Sequence, residues 1–158
     1  AARLVRGIAR GLRPLAGRHR AQPQRSQCRY RYLARAIASA HGPGSHATPP
    51  TREEIAAGDA ARGAVAFEKV CSACHTIEKG ARRRVGPNLF GVAGARIAQK
   101  EGYPYSEAFR KADITWDDET LGEFLAAPAE VVPGTKMDWA VKETQQIADI
   151  IAYLKQYR

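Results

Sequence analysis

The chain has 158 residues and a formal net charge of +9, but the charge is unevenly placed. Residues 1–50 hold ten of the 25 basic residues, all Arg, and none of the 16 acidic ones, so residues 51–158 sum to −1. The high isoelectric point is therefore no sign of a nucleic-acid surface on the part with folding potential. No stretch approaches the roughly 20 apolar residues of a membrane-spanning helix, so no transmembrane span is expected.

Residues 1–57 read as an Arg-rich N-terminal extension, either a targeting segment or a disordered tail. The lack of acidic residues before Thr51 resembles an organellar transit peptide, and Ala38-Ser39-Ala40 resembles a small-residue cleavage site. The apolar stretch before that site, Tyr32 to Ala40, is broken by Arg35 and is short for a secretory signal. Residues 58–158 have room for one small domain, and no internal repeat is visible. Burial is limited at that size, so a large apolar cofactor would complete the core, and the chain without it is expected to fold poorly.

The first helix of this domain is predicted over Asp59–Val70. Asp59 can cap it, and Gly63, Phe67 and Val70 fall at i, i+4 and i+7 on one face. It delivers Cys71-Ser72-Ala73-Cys74-His75, and C-x-x-C-H is the attachment signature of c-type haem. Two thiols at this spacing can each form a thioether to a porphyrin vinyl group, and the adjacent imidazole can ligate the iron. A structural zinc site needs four Cys or His ligands, yet no Cys or His follows His75. Cys28, His19, His41 and His46 all lie upstream in the extension. A thioredoxin-like use of the pair needs a βαβ context, and no β-branched run provides one.

Loops follow, marked by Gly86-Pro87, Gly91, Gly94 and Gly102, with a short helix over Ser106–Lys111. A helix is predicted over Asp117–Ala127, with Thr115 as its N-cap, Leu121, Phe124 and Leu125 on the buried face, and Pro128 as its stop. Pro133-Gly134-Thr135-Lys136-Met137 is a turn-rich loop containing the single Met. Its soft thioether sulfur suits iron, and its place in a Pro-Gly loop argues against the plainer reading of a core filler. The last helix is predicted over Thr144–Tyr157, with Ile147, Ile150, Ile151 and Leu154 at i, i+3, i+4 and i+7. No strand is predicted. The class is all-α with long loops.

From Gly58 to Tyr157 the sequence resembles a class I monohaem cytochrome c of the mitochondrial and alphaproteobacterial type. The resemblance rests on Gly63 and Phe67, the Cys71–His75 motif, Val85-Gly86-Pro87-Asn88-Leu89, Gly102-Tyr103-Pro104-Tyr105, Ile114-Thr115-Trp116, Pro133 to Met137, and Ala152-Tyr153-Leu154. It implies three main helices around one covalent haem c, with the first and last crossing at Gly63 against Ile150 and Tyr153. It also implies that His75 is the proximal iron ligand and Met137 the distal one. The Pro87 carbonyl would accept the other imidazole N–H, Tyr105 and Trp116 would hydrogen-bond a buried propionate, and Thr135 would be a further donor beside Met137. On chemistry alone, Tyr105 and Trp116 also suit ordinary aromatic packing.

Filled axial positions disfavour substrate chemistry at the iron, so the expected function is that of a soluble one-electron carrier and not an enzyme. It would shuttle between a reductase, such as a cytochrome bc1-type complex, and an oxidase or other acceptor. No proton-transfer residue is expected, and the protein is expected to be a monomer that binds no nucleic acid. The alternatives are a haem peroxidase or a gas-binding module, both requiring that Met137 not ligate, or an electron-transfer domain held in a larger complex. The compartment is expected to be the bacterial periplasm, with the mitochondrial intermembrane space as the alternative.

The sequence departs from the mitochondrial pattern near the expected haem edge. Val70 precedes the first Cys, Ala129-Glu130 stands where Lys is usual, Trp139 replaces Phe, and Phe109 replaces Asn. The segment between Met137 and the last helix is one residue short. Lys136, Lys142 and the Lys79–Arg84 stretch remain as basic candidates, although the Arg82-Arg83-Arg84 run also suits a solvated loop.

Overall fold

In the computed structural model, residues 47–158 are described, and they contain six α-helices joined by long loops. Helix α1 spans Arg52–Ala56, α2 Ala60–Ala66, α3 Glu107–Lys111, α4 Asp118–Ala126, α5 Pro128–Val131 and α6 Thr144–Leu154. A π-helical turn, Phe67–Cys71, extends α2. Among the described residues the only extended pairing is a single antiparallel bridge between Arg96 and Thr115. The fold is all-α.

Helix α2 crosses α6, and α1 and α4 also pack against α6. The hydrophobic face of α6 explains its central place: Ile147, Ile150, Ile151 and Leu154 are all buried. Phe67, Leu121, Phe124, Leu125 and Trp116 complete the core around it. The α2–α6 crossing depends on Gly63. A Cβ there would lie 2.0 Å from the Asp149 carbonyl oxygen and 2.8 Å from Tyr153 Cβ. Tyr153 is thus at the crossing, while the nearest backbone is that of Asp149, one residue before the expected Ile150.

Four local differences from the sequence reading have physical causes. The helix expected to run regularly to Val70 widens after Ala66. Ser72 N–H donates to the Phe67 carbonyl, five residues back, while its hydroxyl donates to the Glu68 carbonyl at 2.6 Å. The hydroxyl thus engages the acceptor that a regular α-turn would have used. Asp117, not Thr115, caps α4, accepting from Thr120 N–H at 2.8 Å; Thr115 is engaged in the bridge to Arg96. Pro128 ends α4 but also opens α5 at its first position, where no N–H is needed. The last helix closes at Leu154 and not at Tyr157.

The boundary expected between residues 57 and 58 falls inside packed structure. Helix α1 carries a Thr51–Glu54 capping box and buries Ile55 in the core. The Thr48 carbonyl accepts from the Thr144 hydroxyl at 3.0 Å. Residues 47–57 therefore belong to the folded unit. Cys28, His19, His41, His46 and the Ala38–Ala40 segment lie outside the described residues.

Candidate haem-attachment site

The site is built where the π-turn ends. Cys71 is half-buried and Cys74 is exposed, and both are free thiols. The Cys71 carbonyl accepts from Cys74 and His75 N–H, at 3.1 and 2.9 Å, which folds the motif into a tight turn. Burial, with Cys74 adding to it, pushes the Cys71 thiol up to about 11.

His75 is held from two sides. Its Nδ1 lies 2.8 Å from the Pro87 carbonyl oxygen, so with Nδ1 as the donor, Nε2 is the nitrogen left with a free lone pair. Burial lowers the imidazole pKa, and the Pro87 bond opposes that shift, which favours the neutral, ligating form. Behind the ring stands Gly86, where a Cβ would lie 2.3 Å from His75 Cε1. The Gly86 N–H donates to the Cys74 carbonyl at 2.7 Å, which ties this loop directly to the motif. Among the described residues, no group of three or more His, Cys, Asp or Glu could hold a bare metal ion. A haem iron needs only axial donors from the protein, so the donor set here fits a haem and not a zinc site.

The other expected site residues come from separate loops. Met137 is half-buried and packs against the hydrophobic core, and its N–H donates to Thr135 Oγ1 at 3.1 Å. The Thr135 hydroxyl therefore faces the Met137 backbone. Trp116 is buried. The Tyr105 hydroxyl accepts from Lys100 N–H at 3.3 Å, leaving its own proton to donate. Phe109 links the two: its ring stacks on Tyr105 at 5.8 Å and lies 6.3 Å from Trp116. The Phe109 ring thus bridges the two aromatic candidates with apolar surface.

Three features of the site were not read from the sequence. Gly86 matters for the space it leaves to His75. The Asn88 side chain gathers the 76–90 loop through four hydrogen bonds. The Tyr103 hydroxyl donates to the Val85 carbonyl at 3.0 Å, pinning the loop from outside. The Gly-Pro-Asn sequence signals a turn, but nothing local indicates which groups that turn would meet.

A motif that can bind a porphyrin through two thiols, with a histidine oriented by the Pro87 carbonyl, points to a haem-binding class of all-α protein. Comparison with known proteins narrows the class. The cytochrome c family matches residues 60–158. Cytochrome c of Chlamydomonas reinhardtii is 44% identical over 107 residues, covering 67% of this chain and 96% of its own length. Cytochrome c of Theileria annulata is 42% identical over 111 residues, covering 70% and 96%. Cytochrome c2 of Blastochloris viridis is 45% identical over 103 residues, covering 65% and 80%. The chain belongs to the cytochrome c family, of the class I monohaem type. It is accordingly an electron carrier with covalently attached haem c, not an enzyme, and it works with redox partners.

Proposed function

We propose that haem c is joined to Cys71 and Cys74 and that His75 and Met137 are its axial ligands. When bound, the group supplies a one-electron ferric/ferrous couple. The observation that carries the reading is the orientation of His75, with Nδ1 committed to Pro87 and Nε2 left to ligate. That hydrogen bond fixes the tautomer and raises the basicity of the ligating nitrogen. The Met137 sulfur is the soft donor that raises the potential relative to a second histidine. With His75 and Met137 both holding the iron, a substrate would find no free position there. Tyr105, Trp116 and Thr135 are the candidate donors to the haem periphery.

The proposed partners are a reductase such as a cytochrome bc1-type complex and an oxidase or similar acceptor, met by a monomer. Trp139, 62% exposed and two residues after Met137, offers an apolar anchor for a partner in a segment where Lys136 and Lys142 are offset by Asp138 and Glu143. No helix among the described residues is long and apolar enough to cross a membrane. The proposed compartment is the bacterial periplasm, favoured by the sparse lysines at the expected haem edge. A mature N-terminus cut at an organellar processing site would place it in the mitochondrial intermembrane space instead.

Covalent attachment is tested by acid–acetone extraction of the native protein. The haem is expected to stay with the polypeptide, and Cys71→Ser combined with Cys74→Ser is expected to release it. Free haem recovered from the unsubstituted protein would refute the attachment.

A further inference from the structure

We propose that Asn88 is a positioning residue for the proximal histidine: its side-chain amide clamps the 76–90 loop so that the Pro87 carbonyl stays on His75 Nδ1. This rests on the reading of His75 as an iron ligand and extends it to a residue whose side-chain hydrogen bonds all go to the loop and none to the ring.

The peptide plane between Pro87 and Asn88 carries the carbonyl that meets His75. The proline ring holds its own φ near −65°. The direction of its carbonyl therefore depends on the Pro87 ψ and on where Asn88 is held. Asn88 Nδ2 lies 2.9 Å from Thr76 Oγ1, 2.9 Å from the Glu78 carbonyl oxygen and 3.2 Å from the Ala81 carbonyl oxygen. Its Oδ1 accepts from Phe90 N–H at 2.8 Å. Three oxygens around one atom and an N–H at the other fix which end of the amide is which.

The partners are themselves tied to the motif. Thr76 follows His75 directly, and its carbonyl accepts from Leu89 N–H at 2.7 Å. Its hydroxyl donates onward to the Arg82 carbonyl at 3.0 Å. The clamp thus joins the segment that leaves His75 to the segment that carries Pro87, and the His75–Pro87 bond closes the ring of contacts. Only a side chain with both donor and acceptor can make this set. Aspartate would set a carboxylate against three oxygens, and alanine would leave them without the amide.

The test is NMR exchange of the His75 Nδ1 proton in the ferrous holoprotein, with the Ile151 amide as a reporter of global opening, since Ile151 lies at the centre of the core. In Asn88→Ala the His75 proton is expected to exchange roughly 10-fold faster, while the Ile151 amide is unchanged. Thr76→Val keeps Asn88 and removes one acceptor, so it is expected to give a smaller rise at the same proton; it also serves if Asn88→Ala does not accumulate. An unchanged His75 proton, or one that accelerates only in step with Ile151, would overturn the proposal, because Asn88 would then support the fold generally. If the His75 ring signals of the unsubstituted ferrous protein show no upfield shift from the porphyrin ring current, the ligand reading itself fails and the proposal with it.

Discussion

Gly86 and His75 occupy one small volume, and the space can hold a ring or a side chain but not both. A Cβ on Gly86 would also meet His75 Nδ1 at 2.6 Å and Nε2 at 2.8 Å, and the Gly86 N–H bond to Cys74 prevents the backbone from backing away. The requirement is for space and not for an unusual backbone. Gly86→Val is therefore expected to lower the stability of the holoprotein by about 1–3 kcal/mol and to reduce haem retention, measured by thermal melts and by the ratio of haem to protein absorbance. Wild-type values for both would show that the 85–88 loop yields freely and does not position the ring.

At the scale of elements, the α2–α6 crossing is fastened by a buried carboxylate. Asp149 on α6 accepts from Asp59 N–H at 2.8 Å, from Arg62 Nε and Nη2 at 2.8 and 2.9 Å, and from Gln145 Nε2 at 3.0 Å. The Arg62 bond, first, and the Asp59 and Gln145 bonds outweigh burial and hold its pKa down to about 2. A pKa lower in the folded than in the unfolded chain contributes stability above about pH 4 and loses it as pH falls toward 2. Asp149→Asn is expected to cost roughly 1–2 kcal/mol at neutral pH, allowing for screening at the exposed Arg62. The gap to the unsubstituted protein should narrow as pH falls from 4 to 2, as followed by denaturant melts. A cost that does not change with pH would mean that the charge of Asp149 is immaterial. How much was legible in the sequence differs by element. Helices α3 and α6 and the α2 cap at Asp59 could be read because a polar cap or an apolar period of 3.6 marks each. The π-turn could not, since it hangs on where one Ser hydroxyl finds a carbonyl. Helix α1 has five residues and a single buried side chain, too little to show a period. Cys71, Cys74 and His75 stand out as a contiguous motif, whereas Gly86 and Asn88 act through contacts that exist only once the loop has closed.

Over the whole molecule, the described residues 47–158 are nearly neutral and residues 1–46 carry the positive charge. Residues 47–158 sum to −1, while residues 1–46 contain ten Arg and no acidic residue. Removing residues 1–46 is expected to leave the visible spectrum and the melting midpoint unchanged and to shift ion-exchange behaviour from strongly basic to weakly acidic. Removing residues 1–57 also deletes the buried Ile55 and the Thr48–Thr144 bond, and is expected to cost about 2–4 kcal/mol. Equal stability of the two truncations would contradict the packing of α1. In the assembled holoprotein, His75 and Met137 would hold the iron between them while it carries one electron at a time. The most direct measurement is the ferric absorption spectrum at the red end of the visible range, where methionine–iron ligation gives a weak charge-transfer band. The band is expected in the native protein and expected to vanish in Met137→Ala, with the haem still attached. Its absence from the native protein, or its survival in Met137→Ala, would exclude Met137 as the iron ligand.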